Sequence, residues 1–231
     1  MAPNLLAISG IGLLLGFRHA FEPDHLAAVS TLATRPGARL WSAARLGLVW
    51  GVGHTATVGV VVAVILVLGL ELPARLWPAA ELLVAGLLVL LGSLVIWRYA
   101  RGRWHIHAHE HGVQSHLHLH SHIHASSHAH THAVDARRSL GFGIAHGLAG
   151  SGAIAALLVA AAPDTSSRLI YFATFGGGTV MGMLLVSLTL GLAVRLAAGR
   201  RARWATILHL GSATASVLVG IALAAGSLKR L

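Results

Sequence analysis

The residues best suited to chemistry lie close together in an otherwise apolar region. The run Arg18-His19-Ala20-Phe21-Glu22-Pro23-Asp24-His25 supplies two imidazoles and a carboxylate, His19, Asp24 and His25. Imidazole nitrogen suits nickel, cobalt and zinc, and a carboxylate offsets part of a cation's charge. In a straight helix residues five apart lie about 140° around the axis, so His19 and Asp24 would diverge. Pro23 changes that, because it has no N–H to donate and its ring clashes with the carbonyl four residues back, which is that of His19. The break is expected to free that oxygen and to turn the flanking side chains inward. The competing reading is a cytoplasmic loop with an ordinary capping Asp. Against it stands the cost of ionisable groups in a bilayer, about 2.5–3.5 kcal/mol each on insertion scales, which makes such a cluster a functional candidate by default.

Two more histidines qualify. His54 lies in Trp50-Gly51-Val52-Gly53-His54-Thr55, inside an apolar run. A lone membrane histidine often only bonds a neighbouring helix, yet His54 becomes a ligand candidate because the first cluster needs a partner. His146 follows Gly143-Ile144-Ala145 and precedes Gly147, Gly150 and Gly152, which permit close helix approach or unwinding. It either lines the path or packs. Gly176-Gly177-Gly178 continues to Gly182 in a small-residue spacing that lets backbones touch. Glu81 and His209 fall near span ends, where snorkelling or an ion pair is the default.

Between Trp104 and Ala133 histidine alternates with other residues, from His105 through His111, His116 through His124, and His128 through His132. This composition cannot build an apolar core, so the segment should be disordered without metal. Neutral imidazoles at such density bind borderline divalent metals through interchangeable ligand sets. The rival reading is a pH sensor.

The elements that position these groups must be membrane helices. Of 231 residues, 55% are hydrophobic and only 10% charged, against about 25% charged in a soluble domain. The net charge of +10 does not point to nucleic acid, because the arginines sit in short loops beside apolar runs. With no cysteine, thiolate ligands and disulfides are excluded. The N-terminus lacks a basic region, and its first apolar run leads straight into the cluster, so we expect no cleaved signal peptide. Spans are expected at 46–70, 78–97, 140–162, 169–194 and 204–225. The first span is a long helix broken at Pro23, or else a hairpin of two half-spans. That makes an all-α membrane protein of about six transmembrane helices. Arginines crowd the odd-numbered loops and are sparse in the even ones, which puts the odd loops and the histidine tract in the cytoplasm and both termini outside; Lys229 and Arg230 run against this.

The two halves look related. Gly16-Phe17-Arg18-His19 resembles Gly143-Ile144-Ala145-His146, Leu68-Gly69-Leu70 resembles Leu190-Gly191-Leu192, and Glu81 falls opposite His209. Three spans in each half make this an inverted 3+3 repeat, a plan that places a substrate site near the midplane. The organisation expected is a first membrane half at 1–98, a histidine-rich loop at 99–138 and a second membrane half at 139–231.

The His19-to-His25 cluster resembles the signature of the nickel/cobalt transporter family: a histidine, four residues, then Asp-His, within a span. Gly53-His54-Thr55 resembles that family's second motif, and a histidine-rich cytoplasmic loop is similar to that of its efflux members. The pattern of residues 19–33 together with 145–153 is similar to the family's short, urease-accessory-like transmembrane branch. The segments Ile144 to Ala153 and Phe175 to Met183 lack the carboxylates of the family's classical third and fourth motifs. The resemblance implies nickel or cobalt binding by His19, Asp24 and His25, with His54 contributing.

The expected function is therefore transport of nickel or cobalt ions across the cytoplasmic membrane, with His19, Asp24, His25, His54 and His146 as the metal site. The metal is cargo, and no cofactor is expected. No nucleotide-binding motif is present, so an ion gradient, the membrane potential or a partner ATPase must drive it. The expected partners are the bilayer, divalent metal ions, and a metal-accepting protein or a second copy of the chain, but no nucleic acid. An enzyme is not expected: a metallopeptidase would need H-E-x-x-H, and after His109-Glu110 the second histidine is replaced by Val113. The alternative is a metal-buffering or assembly protein that hands nickel to an enzyme such as urease.

Overall fold

The computed structural model describes residues 5–34, 39–68, 75–101, 105–111, 114–120, 137, 139–148, 164–200 and 202–231. The helices are α1 (Leu5–His19), α2 (Pro23–Ala33), α3 (Leu40–Leu68), α4 (Leu76–Ala100), α5 (139–148), α6 (Thr165–Arg200) and α7 (Ala202–Leu228). Four of them, α3, α4, α6 and α7, are each long and apolar enough to cross a membrane. The pair α1 and α2 makes a fifth span if taken together, bent by 58°. That bend is far from the reversal that a hairpin of two half-spans would need. The sixth expected span, 140–162, lies mostly outside the described residues. Large apolar side chains point outward along every long helix, among them Leu14, Val60, Leu90, Leu185 and Leu218. The protein is thus an all-α, multi-pass membrane protein.

Pro23 stands in the first turn of α2, where its missing N–H is no loss and its fixed φ suits a helix start. The chain between α1 and α2 closes a tight turn, with the Glu22 N–H donating to the His19 carbonyl at 3.0 Å. This corrects one expectation: the His19 oxygen is not released beside the site. Pro23 opens a new helix rather than interrupting an old one, and the turn takes up the oxygen.

Without a hydrophobic drive between helices in lipid, close backbone approach has to hold the bundle. Glycines supply it at matched places. A Cβ on Gly16 of α1 would strike the Phe175 carbonyl of α6, and one on Gly143 of α5 would lie 2.5 Å from the Trp50 carbonyl of α3. Gly178 of α6 lies on the Leu13 carbonyl and Phe17 nitrogen of α1. Gly53 of α3 lies on the Leu140 carbonyl and the Ile144 nitrogen of α5. Gly92 of α4 meets the Ala213 carbonyl of α7, and Gly220 of α7 meets the Ala85 carbonyl of α4. Each contact made by one half is returned by the other, which is the pattern of an approximate two-fold relating α1, α3 and α4 to α5, α6 and α7. In this match Glu81 answers to His209, as expected, and Trp50 answers to Phe175, a register three residues away from the match of Leu68 with Leu190 drawn from the span ends. Gly69 and Leu70, which suggested that earlier register, lie outside the described residues.

The ends of the bundle carry their own ties. Glu81 at the start of α4 accepts from the Ser227 hydroxyl at 2.6 Å and pairs with Arg230. Arg230, which ran against the charge rule, is thereby offset. At the other end Thr34 and His209 Nδ1 are 3.2 Å apart, and the Thr31 hydroxyl donates to the Ser212 carbonyl at 3.1 Å, joining α2 to α7. Outside the bundle β1 (His105–His111) and β2 (Gln114–His120) form an antiparallel hairpin. The His-x alternation has the period of a strand, and histidine stands opposite histidine at His105–His120, His107–His118 and His109–His116.

Candidate metal centre

The break between α1 and α2 sets His19 at the last position of one helix and Asp24 and His25 in the first turn of the next. α3 presents His54 and α5 presents His146 from the opposite side. All five residues proposed from the sequence come together. His19, His25, His54 and His146 are buried, and the Asp24 side chain is 22% exposed. Two groups, His19/His25/His54 and Asp24/His25/His146, each offer one ligand atom per residue with all three atoms within 4.8 Å of one another. His25 belongs to both.

The nitrogens are sorted by their carboxylate neighbours. His25 Nδ1 donates to Asp24 Oδ1 at 3.1 Å, and the Glu22 carboxylate stands 3.0 Å from His19 Nδ1. In His25 that leaves Nε2 with the lone pair. His25 Nε2 and His54 Nδ1 are buried with no hydrogen-bond partner among the described residues. A buried polar atom left unpaired costs about 1–3 kcal/mol, so the arrangement calls for a ligand. His19 Nε2 and His54 Nε2 lie 3.3 Å apart. Two nitrogens each about 2.0–2.1 Å from one tetrahedral ion sit about 3.3 Å from each other, so this spacing suits an ion between them. Asp24 is the hub of the second group, its other oxygen accepting from His146 Nε2 at 3.0 Å. A carboxylate behind a metal-binding imidazole fixes the tautomer and raises ligand basicity.

The walls repeat the fold's symmetry. The Phe175 ring flanks His19 at 5.6 Å and the Trp50 ring flanks His146 at 6.0 Å between centroids. Sequence reasoning missed Glu22, half exposed beside His19, which it reaches across the turn between the two helices. Ser151 and Gly152, which stand in the second half where Asp24 and His25 stand in the first, lie outside the described residues, as does Gly150. Gly147 is described, and a Cβ there would lie 2.7 Å from the His54 carbonyl.

Among proteins of known role, the chain is similar to the urease accessory protein UreH of Bacillus sp. (strain TB-90). The two are 33% identical over 195 residues, which cover 84% of this chain and 81% of that protein. The chain belongs to the UreH family. No family model matches it, and no solved structure matches it. The UreH match agrees with the resemblance to the urease-accessory-like branch noted from the His19–Ala33 and His146 segments.

Proposed function

We propose that this UreH-family protein moves a divalent transition-metal cation, nickel or cobalt, across the cytoplasmic membrane. His19, Asp24, His25, His54 and His146 would hold the ion in transit. The observation that carries this reading is the meeting of four buried imidazoles and one carboxylate between the two halves, with His25 Nε2 and His54 Nδ1 unpaired. Structural histidines in a bundle are expected to have partners; ligands waiting for a cation are not. Imidazole donors with a single carboxylate favour borderline metals over magnesium or calcium, which want oxygen. Nickel and cobalt come from the resemblance to the nickel/cobalt transporter family, and the name of the UreH relative links it to urease. The ion crosses as the two halves tilt about the site and expose it to one face and then the other. The arginine-rich loops, and with them the histidine hairpin, would be cytoplasmic.

A second reading is favoured by the name of the relative: an accessory protein that binds metal at this site and delivers it to an enzyme without carrying it across. Flux separates the two. Purified protein in liposomes, with no other protein present, should move nickel or cobalt across the bilayer, and His25→Ala should reduce the rate to that of empty liposomes. Equal flux in the variant would refute the site. Tight metal binding with no flux would leave the accessory reading in place of the carrier.

A further inference from the structure

The matched glycine contacts make His19 and His146 the same position in the two halves. Gly16 and Gly143 lie on equivalent carbonyls, Leu13 and Leu140 receive equivalent glycines, and so do Phe17 and Ile144. Each histidine follows three residues after its glycine and is flanked by an equivalent aromatic ring, Phe175 or Trp50. His25 has no such twin beside it. Its ring centroid lies 4.4 Å from that of His19 and 4.3 Å from that of His146, in contact with both. It is the residue shared by both ligand groups.

We propose that the cavity offers the cation two alternative positions on either side of His25, one completed by His19 and His54 and the other by Asp24 and His146. This rests on the metal-carrier reading above and divides its single site in two. A neutral imidazole has one N–H and one lone pair, so His25 serves one ion at a time and the two positions exclude each other. With the three spans per half expected from hydropathy, the two-fold that relates the halves lies in the plane of the membrane. It therefore exchanges the two faces. That axis exchanges His19 and His146, so we assign the position at each of these histidines to one face. The His19/His54 position would load from one face and the Asp24/His146 position from the other; His25 hands the ion across as its ring proton moves from Nδ1, where it faces Asp24, to Nε2, and His146 likewise moves its proton from Nε2 to Nδ1.

The positions are not equivalent in charge. The first offers imidazoles as ligands, with the half-exposed Glu22 carboxylate behind His19, and the second counts a carboxylate among the ligands themselves. Charge neutralisation weighs most where water is scarce, so the Asp24/His146 position should hold the ion more tightly.

The test is sided flux of cobalt with the full-length protein inserted in one orientation in liposomes. The half-saturating concentration is measured from each face for the wild type and for His54→Gln and His146→Gln, which keep side-chain size and a hydrogen-bonding group. Each variant should raise the half-saturating concentration about 10-fold or more from one face and less than about twofold from the other, and the affected face should be opposite for the two variants. Equal shifts on both faces, the same face affected in both variants, or loss of flux from both faces in either would mean one composite site and overturn the proposal. Monodisperse elution of each variant establishes that it is folded. Absence of cobalt flux in the wild type would instead remove the carrier reading, and this inference with it.

Discussion

Asp24 directs its two carboxylate oxygens at different histidines, its chain neighbour His25 and His146, which is 122 positions away in the sequence. Asn in its place keeps one oxygen acceptor, loses the charge, and turns an N–H₂ toward one of the two imidazoles. We expect Asp24→Asn to weaken cation binding about 10–100-fold, the range for loss of a group that orients a metal ligand. Cobalt titration followed by flux would measure it; a change under twofold would make the carboxylate dispensable. His19, Asp24 and His25 were legible in the sequence because polar groups in an apolar run announce themselves. His54 and His146 were legible for the same reason, though each could have been a packing residue. Glu22 was not, because an acid beside a proline reads as an ordinary helix start, and only the fold shows it behind His19.

At the scale of helices the crossings are made by glycine lying on backbone. Overpacking costs about 1–3 kcal/mol in a tight contact, so Gly16→Val and Gly143→Val should each lower the thermal midpoint. Gly211→Ala, with nothing within 4 Å of the added atom, should leave it unchanged or raise it through helix propensity. A melt in which Gly16→Val matched the wild type would contradict the crossing of α1 and α6. The start of α6 is set differently. Asp164 accepts the Ser167 N–H at 2.9 Å and the Ser167 hydroxyl at 2.7 Å. The backbone bond first, and the hydroxyl second, hold its carboxyl below the ordinary value. A depressed carboxyl adds stability that is complete above the unfolded value of about 3.9 and is lost as pH falls through the lower folded value. Amides in the first turn of α6 should therefore exchange faster in Asp164→Ala than in wild type at neutral pH, and the difference should vanish in strong acid. A difference that persisted there would rule out the carboxylate as the cause. The repeat itself was visible in the sequence, but not its full register. Small residues align almost anywhere, and only carbonyl contacts pair Trp50 with Phe175.

For the molecule as a whole, hydropathy and charge were enough to give helices, their number to within the segment 149–163, and an expected orientation. They could not show that the halves clasp each other, with α1 lying on α6, α5 on α3 and α4 on α7 more extensively than helices meet within a half. The site exists only because of that exchange: His19 and His25 come from one half's first span, His146 from the other's. The exchange also bears on how the bundle would move. Most helix pairs interlock, and to slide they must lift side chains out of one set of notches and into the next. Here Gly12, Gly16, Gly178 and Gly182 on one crossing, and Gly53, Gly143 and Gly147 on the other, give smooth facing tracks. A helix can shift along such a track with few rotamers to change, so friction between the two halves is low at the places where they bear on each other.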